Sequence, residues 1–118
     1  MKYLCLIYQD EKVLEALSGR EWDALASECQ AYSEELRSRG HYLGGEALQP
    51  VLTATTLRAR GGKLSMTDGP FAETREQLAG FYLLEARDLN EALQLAARIP
   101  PARLGGVEVR PVRERPAF

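Results

Sequence analysis

The sequence predicts an α+β domain that runs strand, helix, strand, hairpin, strand, helix, strand, with an antiparallel sheet and both helices on one face. Three observations carry this. Short apolar runs rich in strand formers alternate with two amphipathic stretches at helical spacing, and Gly and Pro mark the junctions. A chain of 118 residues with 45% hydrophobic and 27% charged residues suits one domain, residues 1–118, with a core of its own.

Residues 3–8, Tyr3-Leu4-Cys5-Leu6-Ile7-Tyr8, form a strand with apolar side chains on both faces, ended by the polar Gln9-Asp10-Glu11. Ser18 and Glu21 have capping-box spacing, and behind them Trp22, Leu25, Ala26, Cys29, Tyr32 and Leu36 recur at helical intervals until Gly40, which predicts a helix over 19–39. Residues 42–48 read as a second strand, closed by Gln49-Pro50. Its Gly44-Gly45 pair marks a bulge or a close approach by a ligand or backbone.

Residues 55–60 and 63–67 flank Gly61-Gly62, the composition of a two-residue hairpin turn. Counting across that turn pairs Leu57 with Met66 and Ala59 with Leu64 on a dry face, and Arg58 with Ser65 and Thr56 with Thr67 on a wet one. Residues 80–86 are a strand apolar on both faces. Asp88 and Glu91 then open a helix with the stripe Leu89, Ala92, Leu93, Ala96 and Ala97, stopped by Pro100-Pro101. Residues 107–112 alternate as a final strand with one face toward a core, its Pro111 marking an edge or a strand end, and the tail to Phe118 is frayed or lies on a partner. The order is ferredoxin-like β-α-β-β-α-β with an inserted β-hairpin. Two helices cover one face of such a sheet, yet strands 3–8 and 81–84 are apolar on both, which predicts a homodimer with sheets facing each other.

Fifteen Lys and Arg against seventeen Asp and Glu give a net charge of -2, opposite to the footprint of a dedicated nucleic-acid binder. No apolar run reaches a membrane span and no signal-peptide pattern opens the chain, so a cytoplasmic location is expected. Cys5, Cys29 and His41 lack metal-ligand spacing, so no metal is expected; the cysteines read as small buried hydrophobes without a disulfide, and His41 as an exposed residue past a helix end. Arg58, Arg60 and Lys63 read as a solvated basic face. Neither a phosphate-cradling Gly motif nor a G-x-S-x-G elbow occurs, and no cofactor is expected.

The densest chemistry lies in Thr67-Asp68-Gly69-Pro70-Phe71-Ala72-Glu73-Thr74-Arg75-Glu76-Gln77. Asp-Gly-Pro ends a strand, which places Asp68 at a strand terminus, where a cleft closed by a second copy would desolvate it and raise its pKa toward general acid or base use. The alternative is structural: Asp68 binds turn N–H groups, Phe71 plugs the core, and Glu73, Arg75 and Glu76 are solvated. Tyr8 and Tyr82 either line a cleft or pack in the core.

Together with Met1-Lys2-Tyr3-Leu4, Gly44-Gly45-Glu46-Ala47-Leu48-Gln49-Pro50, the segment from Thr67 through Tyr82, Ala96-Ala97-Arg98-Ile99-Pro100 and Val107-Glu108-Val109-Arg110-Pro111-Val112, this motif resembles the DGPF-type members of the YCII-related family over nearly the whole chain. The resemblance implies a dimeric α+β barrel. It also implies, in the broader family, a His on the first helix paired with an Asp. Here no His lies on 19–39, Cys29 or Tyr32 standing there instead, and Asp68 alone is carried over as the motif aspartate. The reading that follows is a homodimer binding a small, partly apolar organic molecule in a cleft of Tyr8, Gly44, Gly69, Pro70, Phe71, Glu73 and Tyr82, with cofactor-independent acid-base chemistry at Asp68. The alternative is a non-catalytic interaction or regulatory module, which the resemblance links to extracytoplasmic-function sigma factors.

Overall fold

The computed structural model describes residues 1–115; the tail to Phe118 that the sequence reading treats as frayed or partner-bound ends outside the described residues. The elements are β1 (Lys2–Gln9), α1 (Glu11–Glu15), α2 (Gly19–Ser38), β2 (Tyr42–Ala47), β3 (Thr55–Arg60), β4 (Lys63–Asp68), β5 (Gln77–Glu85), α3 (Leu89–Ala96) and β6 (Gly105–Pro111). The main sheet has the order β2-β5-β1-β6, and β1 pairs antiparallel with both neighbours, so this is the ferredoxin-like α+β fold. β3 and β4 make a separate two-stranded sheet. No helix among the described residues is long and apolar enough to cross a membrane.

Strand alternation divides the side chains of the central pair. Tyr3, Cys5 and Ile7 of β1 and Tyr82 and Leu84 of β5 are buried with Tyr32 and Leu36 of α2, Ala92, Leu95 and Ala96 of α3, and Ile99. Leu4, Leu6 and Tyr8 take the other face with Phe81 and Leu83, all half-buried and outside the helix-side core. α2 begins as its sequence predicts: the Ser18 hydroxyl accepts from Glu21 N at 3.1 Å and the Glu21 carboxylate from Ser18 N at 3.0 Å. Ser18→Ala is therefore expected to cost about 1 kcal/mol in a urea unfolding titration, and an unchanged midpoint would contradict the cap.

The hairpin register is Leu57 to Met66, Ala59 to Leu64, Arg58 to Ser65 and Thr56 to Thr67, as the Gly61-Gly62 turn dictates. Its apolar side is not dry, however, because Leu57, Leu64 and Met66 are all exposed and the hairpin forms no part of the core. Two further differences concern ends. Asp10 caps the short α1 by accepting from Lys12 N at 2.9 Å, where the sequence suggested only a strand stop. His41 is tied down rather than free: its Nδ1 lies 2.8 Å from Glu85 O and its N–H donates to Leu36 O, which latches the end of α2 to β5.

Candidate functional site

A cavity of about 420 Å³ lies between the helix-side face of the sheet and α2, lined by Ile7, Gln9, Trp22, Leu25, Ala26, Cys29, Ser33, Tyr42, Gly45, Gly80 and Tyr82, among others. Its roof is one row of α2: Trp22, Ala26, Cys29 and Ser33 follow one another at steps of four, three and four, the spacing of a single helix face. The adjacent row, Leu25, Tyr32 and Leu36, is buried. Its floor includes two glycines. A side-chain carbon at Gly45 would sit 2.9 Å from Phe81 O, and one at Gly80 2.7 Å from Glu46 O, so the backbones of β2 and β5 approach too closely there for any larger residue.

The polar groups of this mostly apolar space converge from both sides. Ser33 donates to the Tyr82 hydroxyl at 3.4 Å, and the Tyr82 ring meets Tyr42 edge-on with centroids 6.1 Å apart. Burial pushes the Tyr82 phenol above its ordinary range, and a phenol is in any case a protonated hydrogen-bond donor at neutral pH. Gln9, at the end of the inward series of β1, is 5% exposed and donates from Nε2 to Pro101 O at 3.1 Å.

Cys29 is half-buried on the cavity roof, not a core hydrophobe like Cys5, whose thiol burial pushes up to about 11. Burial first, then the Glu28 carboxylate, raises the Cys29 thiol too, with Arg103 opposing. Thiolate then forms at higher pH than in the unfolded chain. Alkylation of Cys29 in the native protein is expected to reach its half-maximal rate above the pH found for the same thiol in denaturant, and a midpoint at or below that value would contradict the burial.

The residues singled out from sequence do not form one cleft. Of them, Tyr82 lines the cavity, whereas Gly44 lies across the strand from it on the helix-free face, because a bulge between Tyr42 and Gly44 turns Gly45 inward. Tyr8 lines a wider, open groove of about 1040 Å³ with Asp10, Arg75, Glu76 and Glu108. Asp68 is exposed at the end of β4 and Glu73 is exposed in the loop beyond it.

The motif turn is held to β3. Gly69, at φ 123°, donates from its N–H to Ala54 O at 2.8 Å and accepts at its carbonyl from Thr56 at 2.7 Å, with Pro70 half-buried beside it. Phe71 does not plug the core: it is 73% exposed, beneath the Arg58 guanidinium at 4.9 Å, and its carbonyl accepts from Arg58 at 2.7 Å. Phe71→Ala is accordingly expected to cost only about 0.5–1 kcal/mol, the worth of an exposed cation–π contact, by urea titration; a loss of several kcal/mol would show that the ring is buried in solution. Farther on, Arg75 pairs with Asp10 at 3.3 Å and Gln77 donates to Thr74 O at 2.8 Å, so the loop is strapped to α1 and to itself.

The model of the YCII-related domain matches residues 1–115. The chain belongs to the YCII-related domain family. An uncharacterised protein of Rhizobium meliloti (strain 1021) is 39% identical over 114 residues, which cover 95% of this chain and 92% of that one. Among solved structures, the 5-chloro-2-hydroxyhydroquinone dehydrochlorinase of Burkholderia phenoliruptrix AC1100, in complex with 2,5-dihydroxybenzoquinone, superposes with a TM-score of 0.54 at 17% identity, covering 96% of this chain and 94% of that one. At that identity the likeness is one of fold, and it agrees with the α+β architecture of this YCII-related chain.

Proposed function

We propose that this protein binds a small, partly apolar organic molecule in the cavity between the sheet and α2, and that it does so as a homodimer. The observation that carries the reading is the cavity itself: a mainly apolar space of about 420 Å³, within the usual size of ligand sites, with the Tyr82 and Ser33 hydroxyls converging on one part of it. The Tyr82 phenol, protonated at neutral pH like any ordinary tyrosine, donates to a ligand oxygen while Ser33 orients it. A small oxygenated ring suits such a space, and the ligand named with the dehydrochlorinase is of that class. The homodimer reading is supported by Leu4, Leu6, Phe81 and Leu83, a half-buried apolar row outside the helix-side core.

An acid-base role for Asp68 enters only through the second copy. Asp68 is exposed in the single chain, and shielding it from water requires a partner over the hairpin. A non-catalytic interaction module is the second reading, and the exposed apolar hairpin face of Leu57, Leu64 and Met66 favours it. A thermal-shift screen of aromatic acids, phenols and quinones on wild type, Tyr82→Phe and Asp68→Asn separates these. Hits lost in Tyr82→Phe but kept in Asp68→Asn are expected. Hits lost only in Asp68→Asn would move the site to the motif, and no hits at all would favour the interaction module.

A further inference from the structure

We infer that Gln9 is a second, specificity-determining anchor of this cavity, so that the ligand carries a hydrogen-bond donor at one end and an acceptor oxygen at the other, as a hydroxylated aryl ketone does. The inference rests on the cavity being the binding site and goes on to name the chemistry that it selects.

Gln9 continues the inward series Tyr3, Cys5, Ile7, where every other member is apolar, and it is the buried polar residue of the described core. Its amide orientation is fixed by chemistry. Pro101 O is a carbonyl and can only accept, so the group 3.1 Å from it is Nε2–H, and Oε1 is the other arm of the carboxamide. Oε1 receives no protein hydrogen bond among the described residues, yet no buried side-chain oxygen there is both sealed off and unpartnered, so Oε1 keeps access to space. The cavity is the space Gln9 lines.

An amide oxygen has two lone pairs and takes only donors. Carboxylates, ethers and ketones cannot satisfy it, whereas a hydroxyl or N–H can. The other anchor has the opposite preference, because the Tyr82 hydroxyl already accepts from Ser33 and has its own proton to give. Cys5 is the strand partner of Tyr82, and Gln9 lies four residues farther along β1, about 13 Å of strand rise. Ile7 and Gly80 lie between them as the apolar floor. A donor-bearing end toward Gln9, an apolar body over Ile7 and Gly80, and an acceptor oxygen toward Tyr82 match the three parts.

The test is a protein-observed NMR titration of isotope-labelled chain with para-hydroxyacetophenone and with its methyl ether, para-methoxyacetophenone, which keeps the ring and the ketone but has lost the donor. The hydroxy ketone is expected to bind about tenfold more tightly than the ether, the effect of one hydrogen bond, and to shift the Gln9 side-chain amide resonances; Gln9→Leu is expected to abolish the preference. Should Gln9→Leu fail to fold once Pro101 O loses its donor, the Gln9 amide shift in wild type decides alone. Equal affinities, an unchanged preference in Gln9→Leu, or hydroxy ketone binding with a stationary Gln9 amide would each overturn the role of Gln9 while leaving the cavity reading standing. Perturbation of no cavity residue by either ketone would overturn the cavity reading, and this inference with it.

Discussion

Leu84→Ala is expected to lower the free energy of unfolding by about 3 kcal/mol, the cost of a large-to-small change where neighbours cannot collapse. Leu84 is fully buried on a central strand, with Tyr42 of β2 on one side and Tyr3 of β1 on the other as its register partners. Both partners are ring side chains held by the sheet, so the space left by the isobutyl group stays open. Urea titration reads the loss as a lower midpoint at unchanged slope. A change below about 1 kcal/mol would mean that the layer between sheet and helices repacks freely.

The second large effect is on assembly. Leu6→Asp places a carboxylate in the middle of the helix-free face, opposite Phe81 of β5 and Glu108 of β6 in the register. Because Leu6 makes no part of the helix-side core, the subunit is expected to keep its fold and lose its partner, halving the mass seen by light scattering at micromolar concentration. A wild-type protein that is already monomeric there, or a mutant that is still dimeric, would contradict the proposal that a second copy covers this face.

Much of the fold was legible because local chemistry fixes it. Gly61-Gly62 leaves a single hairpin count, and all the pairs that follow from it are present. The Ser18–Glu21 box starts α2 where its spacing says it should. α1 was not legible, since five residues with none buried leave no apolar stripe to read. The site was less legible than the fold, for reasons of parity and direction. A bulge moves every following side chain to the opposite face, so the sequence could name the Gly44-Gly45 pair but not say that Gly45 is the member turned inward. Whether the hairpin folds onto the core or projects from it is a tertiary matter, and this decides the exposure of Phe71 and Asp68. Gln9 and Ser33 do carry signals in the sequence. Gln9 is the polar member of an odd-numbered inward series, and Ser33 stands four residues after Cys29 on the cavity row of α2.

Ligand binding in the cavity is tested most directly by locating where small molecules sit on the protein. A fragment library of small phenols, ketones and aromatic acids, screened by protein-observed NMR on the wild-type chain, maps that position without assuming a substrate. The strongest perturbations are expected to fall together on Ile7, Gln9, Trp22, Cys29, Ser33 and Tyr82. Perturbations confined to residues 68–77 of the motif loop, or none on the cavity for any fragment, would contradict it.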